Sequence, residues 1–370
     1  MWADGNGRAI SESHLYFCDA DLNAWKMPRK FDGDFADPVP YRPVSGEARC
    51  ERTPHGVKAV RGGRTLWEFS SDGGKPCVHP LAVPDGTVIT DSNNADHPWH
   101  RGLWFSWKFL NGVNYWEVDA YGRSAGEQRV VSEDVDIKGA SATVRMNVSW
   151  GPRAEPQRVL LDEQREIVFS EPRADGGYTI TWKAKFTARE RTTIERTPPT
   201  RNPKTGFWRG GYAGFSLRLA DFARSCRLVS SSGAEEQADV VAREKKWIDY
   251  VNPQTGAGIR LEILKAPGRR VFYHWQDRRF TNLSPVFDGS IVLEPGETLD
   301  GPSVTADCPC ETPIVLHLSG VSCIIRFMSI ITSLLVAAAF APWQDPQVNS
   351  INRLPARTMA FPSETEQLAI

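Results

Sequence analysis

Gly177-Tyr178-Thr179-Ile180-Thr181-Trp182-Lys183-Ala184-Lys185-Phe186 alternates apolar and polar side chains one by one: Tyr178, Ile180, Trp182, Ala184 and Phe186 against Thr179, Thr181, Lys183 and Lys185. A two-residue period puts the first set on one face of a β-strand and the second on the opposite face. Asp175-Gly176-Gly177, immediately before it, has the composition of a hairpin turn. The same alternation runs through Gly56-Val57-Lys58-Ala59-Val60 and Thr143-Val144-Arg145-Met146-Asn147-Val148, and Asp72-Gly73-Gly74 is a second turn of the same kind. From Gly46 to Glu297 no stretch of about twelve or more residues carries a clean helical period. These features predict an all-β fold, an antiparallel β-sandwich, over residues 46–299. Residues 1–45 are polar, with Asp37-Pro38-Val39-Pro40-Tyr41-Arg42-Pro43 near their end, and read as an extended arm.

The chain has 370 residues, 41% hydrophobic and 24% charged, enough to bury one large core or two moderate ones. Its 44 basic and 45 acidic residues leave a net charge of −1, which argues against nucleic acid or an anionic membrane as a partner. Seven cysteines are scattered, and the one close pair, Cys308-Pro309-Cys310, is a residue short of the usual metal or redox spacing. The first residues carry no apolar run, so the chain as written reads as cytoplasmic; a start further upstream encoding an export signal would make it periplasmic or secreted.

Chemistry concentrates in Asp96-His97-Pro98-Trp99-His100-Arg101-Gly102-Leu103-Trp104-Phe105-Ser106-Trp107 and Asn111-Gly112-Val113-Asn114-Tyr115-Trp116-Glu117. Imidazoles beside indoles suit a lined pocket for a flat or sugar-like ligand. A three-residue separation does not place two side chains on one face of a regular strand, so His97 and His100 serve one site only if the chain turns at Pro98.

These two stretches, with Lys75-Pro76-Cys77-Val78-His79-Pro80-Leu81, resemble the bacterial family labelled methane oxygenase PmoA. The resemblance extends more weakly through Gly210-Gly211-Tyr212-Ala213-Gly214-Phe215-Ser216-Leu217-Arg218, Trp247-Ile248-Asp249-Tyr250 and Leu293-Glu294-Pro295-Gly296-Glu297-Thr298-Leu299, covering about residues 49–299. It implies a sandwich similar to the galactose-mutarotase supersandwich and a small carbohydrate as ligand. The methane oxidation of the label is not carried over, because the membrane subunit it names is built of transmembrane helices and this body has none. The family's late Trp-His pair stands reversed here as His274-Trp275.

A mutarotase-like site needs a general base and a general acid within hydrogen-bond reach. His97, His100 and His79 are candidates for the acid. For the base, Glu163 comes first, since burial between apolar runs would raise its pKa, and Asp96 second; an equally weighted alternative makes Glu163 a surface carboxylate paired with Arg165. Arg101 and Arg218 are candidates for gripping sugar hydroxyls or a carboxylate, Trp104, Trp107 and Trp116 for stacking, and His274 for substrate contact. At least one of the tryptophans must be core. The alternatives are a divalent metal on His79, His97 and His100 with Asp96, giving a metal-dependent enzyme or oxygenase, and a carbohydrate-binding module without catalysis.

After Leu299 the expected closing strand is replaced by Asp300-Gly301-Pro302-Ser303-Val304-Thr305-Ala306-Asp307, so residues 300–327 are expected to be irregular, the product of a frameshift. Met328 to Ala341 has the form of a signal-peptide core. Residues 328–370 then read as the start of a neighbouring frame: Pro342-Trp343-Gln344-Asp345-Pro346 through Asn352-Arg353-Leu354-Pro355-Ala356-Arg357 resembles the N-terminus of second-family glycoside hydrolase β-galactosidases. Membrane contact is expected only if residues 321–341 form an anchor, which would bury Arg326.

Overall fold

The computed structural model describes residues 42–233, 240–253, 255–269, 271–275, 279–308, 314–318 and 321–325. The expected arm up to residue 41 and the tail from 326 lie outside the described residues.

Two antiparallel sheets dominate. An eight-stranded sheet runs in the order Ala48–Thr53, Gly56–Arg61, Arg64–Ser70, Cys77–Leu81, Leu103–Ser106, Gly214–Arg218, Phe280–Leu283, Phe272–Trp275. A nine-stranded sheet runs Gly126–Lys138, Ser141–Pro152, Leu161–Phe169, Tyr178–Ala188, Ser303–Cys308, Gly258–Lys265, Trp247–Val251, Arg227–Ser230, with Thr298–Asp300 also paired to Tyr178–Ala188. Among the described residues helix is confined to the 3-10 turn Asp221–Ser225 and to Val240. Both turns read from sequence join neighbouring strands: Asp72-Gly73-Gly74 links Arg64–Ser70 to Cys77–Leu81, and Asp175-Gly176-Gly177 links Leu161–Phe169 to Tyr178–Ala188. Gly73, Gly74 and Gly176 have φ between 74° and 82°, a region closed to most L side chains.

The sheets close on one apolar core, so the fold is a β-sandwich. Trp67 of the first stacks on Phe169 of the second with ring centroids 3.9 Å apart, and the Tyr178 hydroxyl donates across the interface to the Leu66 carbonyl at 3.1 Å. Leu161–Phe169 and Tyr178–Ala188 alternate burial along their length as the period demanded.

One expectation needs correcting. Order does not stop at Leu299: Ser303–Cys308 lies inside the nine-stranded sheet, paired on one side with Tyr178–Ala188 and on the other with Gly258–Lys265. Val304, Ala306 and Cys308 are buried on the inner face, and this alternation is what lets so polar a segment serve as a central strand. Further on, Val321–Ile325 pairs with Ile314–Leu318 as a hairpin. The remainder of the expected anchor lies outside the described residues, among which no helix is long and apolar enough to cross a membrane.

The eight-stranded sheet has two different faces. Leu103, Phe105, Phe215, Leu217 and Leu283 face the second sheet and join the main core. Trp104, Tyr273 and Phe280 point the other way and form a separate cluster with Trp116 under the covering loops. The register carries this outer row across the sheet, with Cys77 opposite Trp104, Trp104 opposite Ser216, Ser216 opposite Asn282 and Asn282 opposite Tyr273.

Candidate functional site

The outer face of the eight-stranded sheet brings His97, His100, Asp96 and Arg218 together. His97–Arg101 is itself a strand, paired with Ser92–Asn94 through a turn at Ala95 and Asp96. Between the pairings Ser92 with Arg101 and Asn94 with His97 it holds two more residues than its partner, a bulge that breaks the alternation. The bulge, rather than a turn at Pro98, puts both imidazoles on one side, stacked with centroids 4.8 Å apart.

His100 is buried between rings, 4.6 Å from Phe280 and 5.3 Å from Trp104 by centroid. Burial first, then the charges of His97, Arg218 and Lys75, hold its pKa well below the usual histidine range, so the ring is neutral at pH 7. Nη1 of Arg218 donates to its Nδ1 at 3.4 Å, which leaves the proton of the neutral ring on Nε2 as a donor. Nη2 of Arg218 donates to both carboxylate oxygens of Asp96, at 3.0 and 3.2 Å, and Asp96 in turn accepts from Nδ1 of His97 at 3.0 Å. Arg218 is buried, whereas the Asp96 and His97 side chains keep 37% and 19% of their surface, so this chain of contacts leads from the sheet to solvent. Trp104 and Trp116 are fully buried and make the floor; the indole with exposed surface here is Trp99, in edge contact with His97. Trp107 faces the main core against Phe105 and Phe186, as one of the three tryptophans had to.

Two lysines of this region escape a reading of sequence. Lys108 is buried, paired with Glu117 and within 3.2 Å of the Tyr212 hydroxyl. Burial alone would raise the Glu117 pKa, but Lys108 and a 2.7 Å bond from Asn114 hold it low. Lys75 is also buried and donates to the carbonyls of Trp116 and, at 3.4 Å, Trp99. Desolvation first, with Arg101 adding to it, brings its pKa down to about 7. Both lysines sit in or beside quoted motifs, but lysine is so commonly a surface residue that only their burial marks them.

Three expected site residues are not in this group. Glu163 lies on the inner face of the nine-stranded sheet, in the main core; its oxygens take Nε and Nη2 of Arg165 at 2.6 and 2.8 Å and the Trp150 indole N–H at 2.9 Å. Trp150 packs against Phe105, the inward neighbour of Trp104, so the eight-stranded sheet stands between Glu163 and the histidines, and Glu163 cannot be their base. His274 faces inward as well, opposite Thr281, and accepts or donates at Nδ1 with the Tyr250 hydroxyl at 2.6 Å beside a cavity of about 220 Å³; burial takes its pKa to about 3. His79 holds Thr90 at 3.0 Å and takes no part in the ring stack. With His79 apart, the proposed ligands do not fit a metal: among the described residues no three His, Cys, Asp or Glu side chains form a group that could hold one. A wider depression of about 730 Å³ lies on the nine-stranded sheet, lined by charged surface residues such as Arg145, Glu166 and Lys183, which are paired with one another.

A family model spans residues 56–301, from the second strand of the eight-stranded sheet to just before Ser303–Cys308. The chain belongs to the family of unknown function DUF6807. That replaces the resemblance to the PmoA-labelled family, whose strongest blocks, between Lys75 and Glu117, fall inside this span. No curated protein matches the chain. Among solved structures it is similar to the GH36 α-galactosidase AgaB of Geobacillus stearothermophilus, at 13% identity and TM-score 0.27 over 71% of this chain and 38% of that one. The galactosidase domain of the α-galactosidase-sucrose kinase AgaSK gives 9% identity and TM-score 0.27, over 71% and 40%. The Slr1438 protein of Synechocystis sp. PCC 6803 gives 10% and 0.21, over 73% and 98%. The chain spans about two-fifths of the length of those galactosidase chains, and at these scores the likeness assigns no substrate.

Proposed function

We propose that the outer face of the eight-stranded sheet binds a sugar or glycoside, with His97 moving a proton on it. The carrying observation is the Arg218–Asp96–His97 chain of hydrogen bonds beside a neutral, buried His100. A base whose Nδ1–H is held by an oriented carboxylate presents Nε2 to a ligand, the arrangement that acid/base work requires. His100 supplies a fixed N–H donor, and Trp99 and the rings beneath it offer the apolar surface that one face of a pyranose covers. Asp96 acts here as the group that positions His97, in place of the base expected of Glu163.

The test is titration of the protein with methyl glycosides and reducing sugars, read by tryptophan fluorescence, together with anomer exchange followed by NMR. Saturable binding, with exchange faster than in buffer and lost in His97→Ala, is the expected outcome. Binding and exchange that both survive His97→Ala and His100→Ala would overturn the proton-transfer role. Binding without any exchange leaves a recognition module, and no binding by any sugar removes the reading altogether.

A further inference from the structure

Charge among the described residues of the site does not balance. Among the described residues four cationic side chains converge on its outer-face cluster, Lys75, Lys108, Arg101 and Arg218, and two have partners: Lys108 has Glu117, and Arg218 has Asp96. Lys75 is held by the Trp99 and Trp116 carbonyls, which satisfy donors without cancelling charge. Arg101, on the histidine strand, makes no hydrogen bond or ion pair among the described residues, and its Nε is buried without a partner. Its guanidinium lies over the Asp72-Gly73-Gly74 turn that leads into Lys75, 3.7 Å from where a Cβ on Gly73 would stand, and it is close enough to Lys75 to weigh on that lysine's protonation.

An unpaired buried ammonium beside an unpaired half-buried guanidinium is costly in a folded chain. A ligand that brings a negative charge would relieve both, and the planar fork of Arg101 matches the two oxygens of a carboxylate. We propose that Lys75 and Arg101 form an anion subsite and that the ligand is a sugar acid, its carboxylate on these two groups and its ring toward Trp99 and His97. This rests on the sugar reading above and narrows it to a substrate class. Among the described residues the charged and titratable groups around Lys75 are Arg101, Lys108, Glu117 and His100, of which only Glu117 is acidic, and it is committed to Lys108. Binding of a carboxylate therefore draws a proton onto Lys75 at pH 8 and weakens as the pH rises further.

The experiment is calorimetric titration of the full chain with methyl glycosides of glucose, galactose and mannose, with the matching uronates, and with sodium sulfate, at pH 6 and pH 9. The uronate that binds should bind at least about tenfold tighter than its neutral counterpart at pH 6, with a smaller advantage at pH 9. Lys75→Met and Arg101→Gln should each remove that advantage, and the second keeps the test alive if the first does not fold. Equal affinity for a uronate and its neutral partner overturns the subsite while the sugar reading stands. Sulfate bound by the wild type and lost in both variants, with no sugar bound, overturns the sugar and keeps the anion. No binding by any of the probes overturns both.

Discussion

Two arginine–carboxylate pairs show how differently the same chemistry is used in the two faces of this sandwich. Glu163 and Arg165 are fully enclosed; both carboxylate oxygens are taken, Gln128 and Trp150 join the network, Nη1 of Arg165 alone is left without a partner among the described residues, and the guanidinium lies 5.0 Å from the Trp182 ring. Asp96 and Arg218 begin the same way, with Arg218 buried, but the carboxylate keeps more than a third of its surface and holds a histidine toward solvent. A buried pair with both carboxylate oxygens held specifies a core, whereas one whose carboxylate reaches the surface beside a titratable neighbour can act on something.

The strongest way to break that comparison is Glu163→Ala, which strands the Arg165 charge in the core. A loss of about 3–5 kcal/mol in urea unfolding is expected, with sugar affinity unchanged in whatever protein still folds. A loss below about 1 kcal/mol would mean the pair is not closed. Next comes pH. Lys75 has a folded pKa of about 7 against an ordinary value of 10.5, so between these the unfolded chain holds more protons and stability rises with pH across that window. In Lys75→Met the rise should flatten and the stability below pH 7 should increase; an unchanged pH profile would count against the buried, unpaired lysine. His274 works the same way lower down: with its pKa at about 3 instead of 6.5, its contribution is lost as the pH falls from about 6.5 toward 3, and His274→Gln should remove that part of the acid transition. Asp96→Asn should cost less than about 1 kcal/mol, because its carboxylate is more than a third exposed, yet abolish proton transfer by His97. Smallest of all, Trp99→Ala should leave the unfolding midpoint nearly unmoved while weakening sugar binding severalfold by fluorescence; unaltered affinity would detach Trp99 from the ligand.

Much of the frame is legible in the chain itself. Tyr178–Ala188 and Leu161–Phe169 follow their alternation residue by residue, and the two Asp-Gly-Gly turns fall where strands reverse. Ser303–Cys308 is hard to read as a strand, because so polar a segment stands where the closing strand is expected, although Val304, Ala306 and Cys308 keep the period. In the site, the Asp96 to His100 run is visible as composition. Arg218 lies more than a hundred residues away, so the sequence offers it only as a grip for a ligand, and no local pattern marks Lys75.

What the sequence determined alone is what depends on neighbours along the chain: strand period, turn chemistry and the density of imidazole and indole in one segment. Alternation says that Phe105 and Trp104, or Tyr273 and His274, face opposite ways, but it does not say which face meets the second sheet. The tertiary structure decided that Trp104 faces the site and His274 the core, that a bulge unites His97 with His100, and that Glu163 lies behind a sheet. Each follows from long-range pairing and from which face another layer covers, quantities that no local pattern contains.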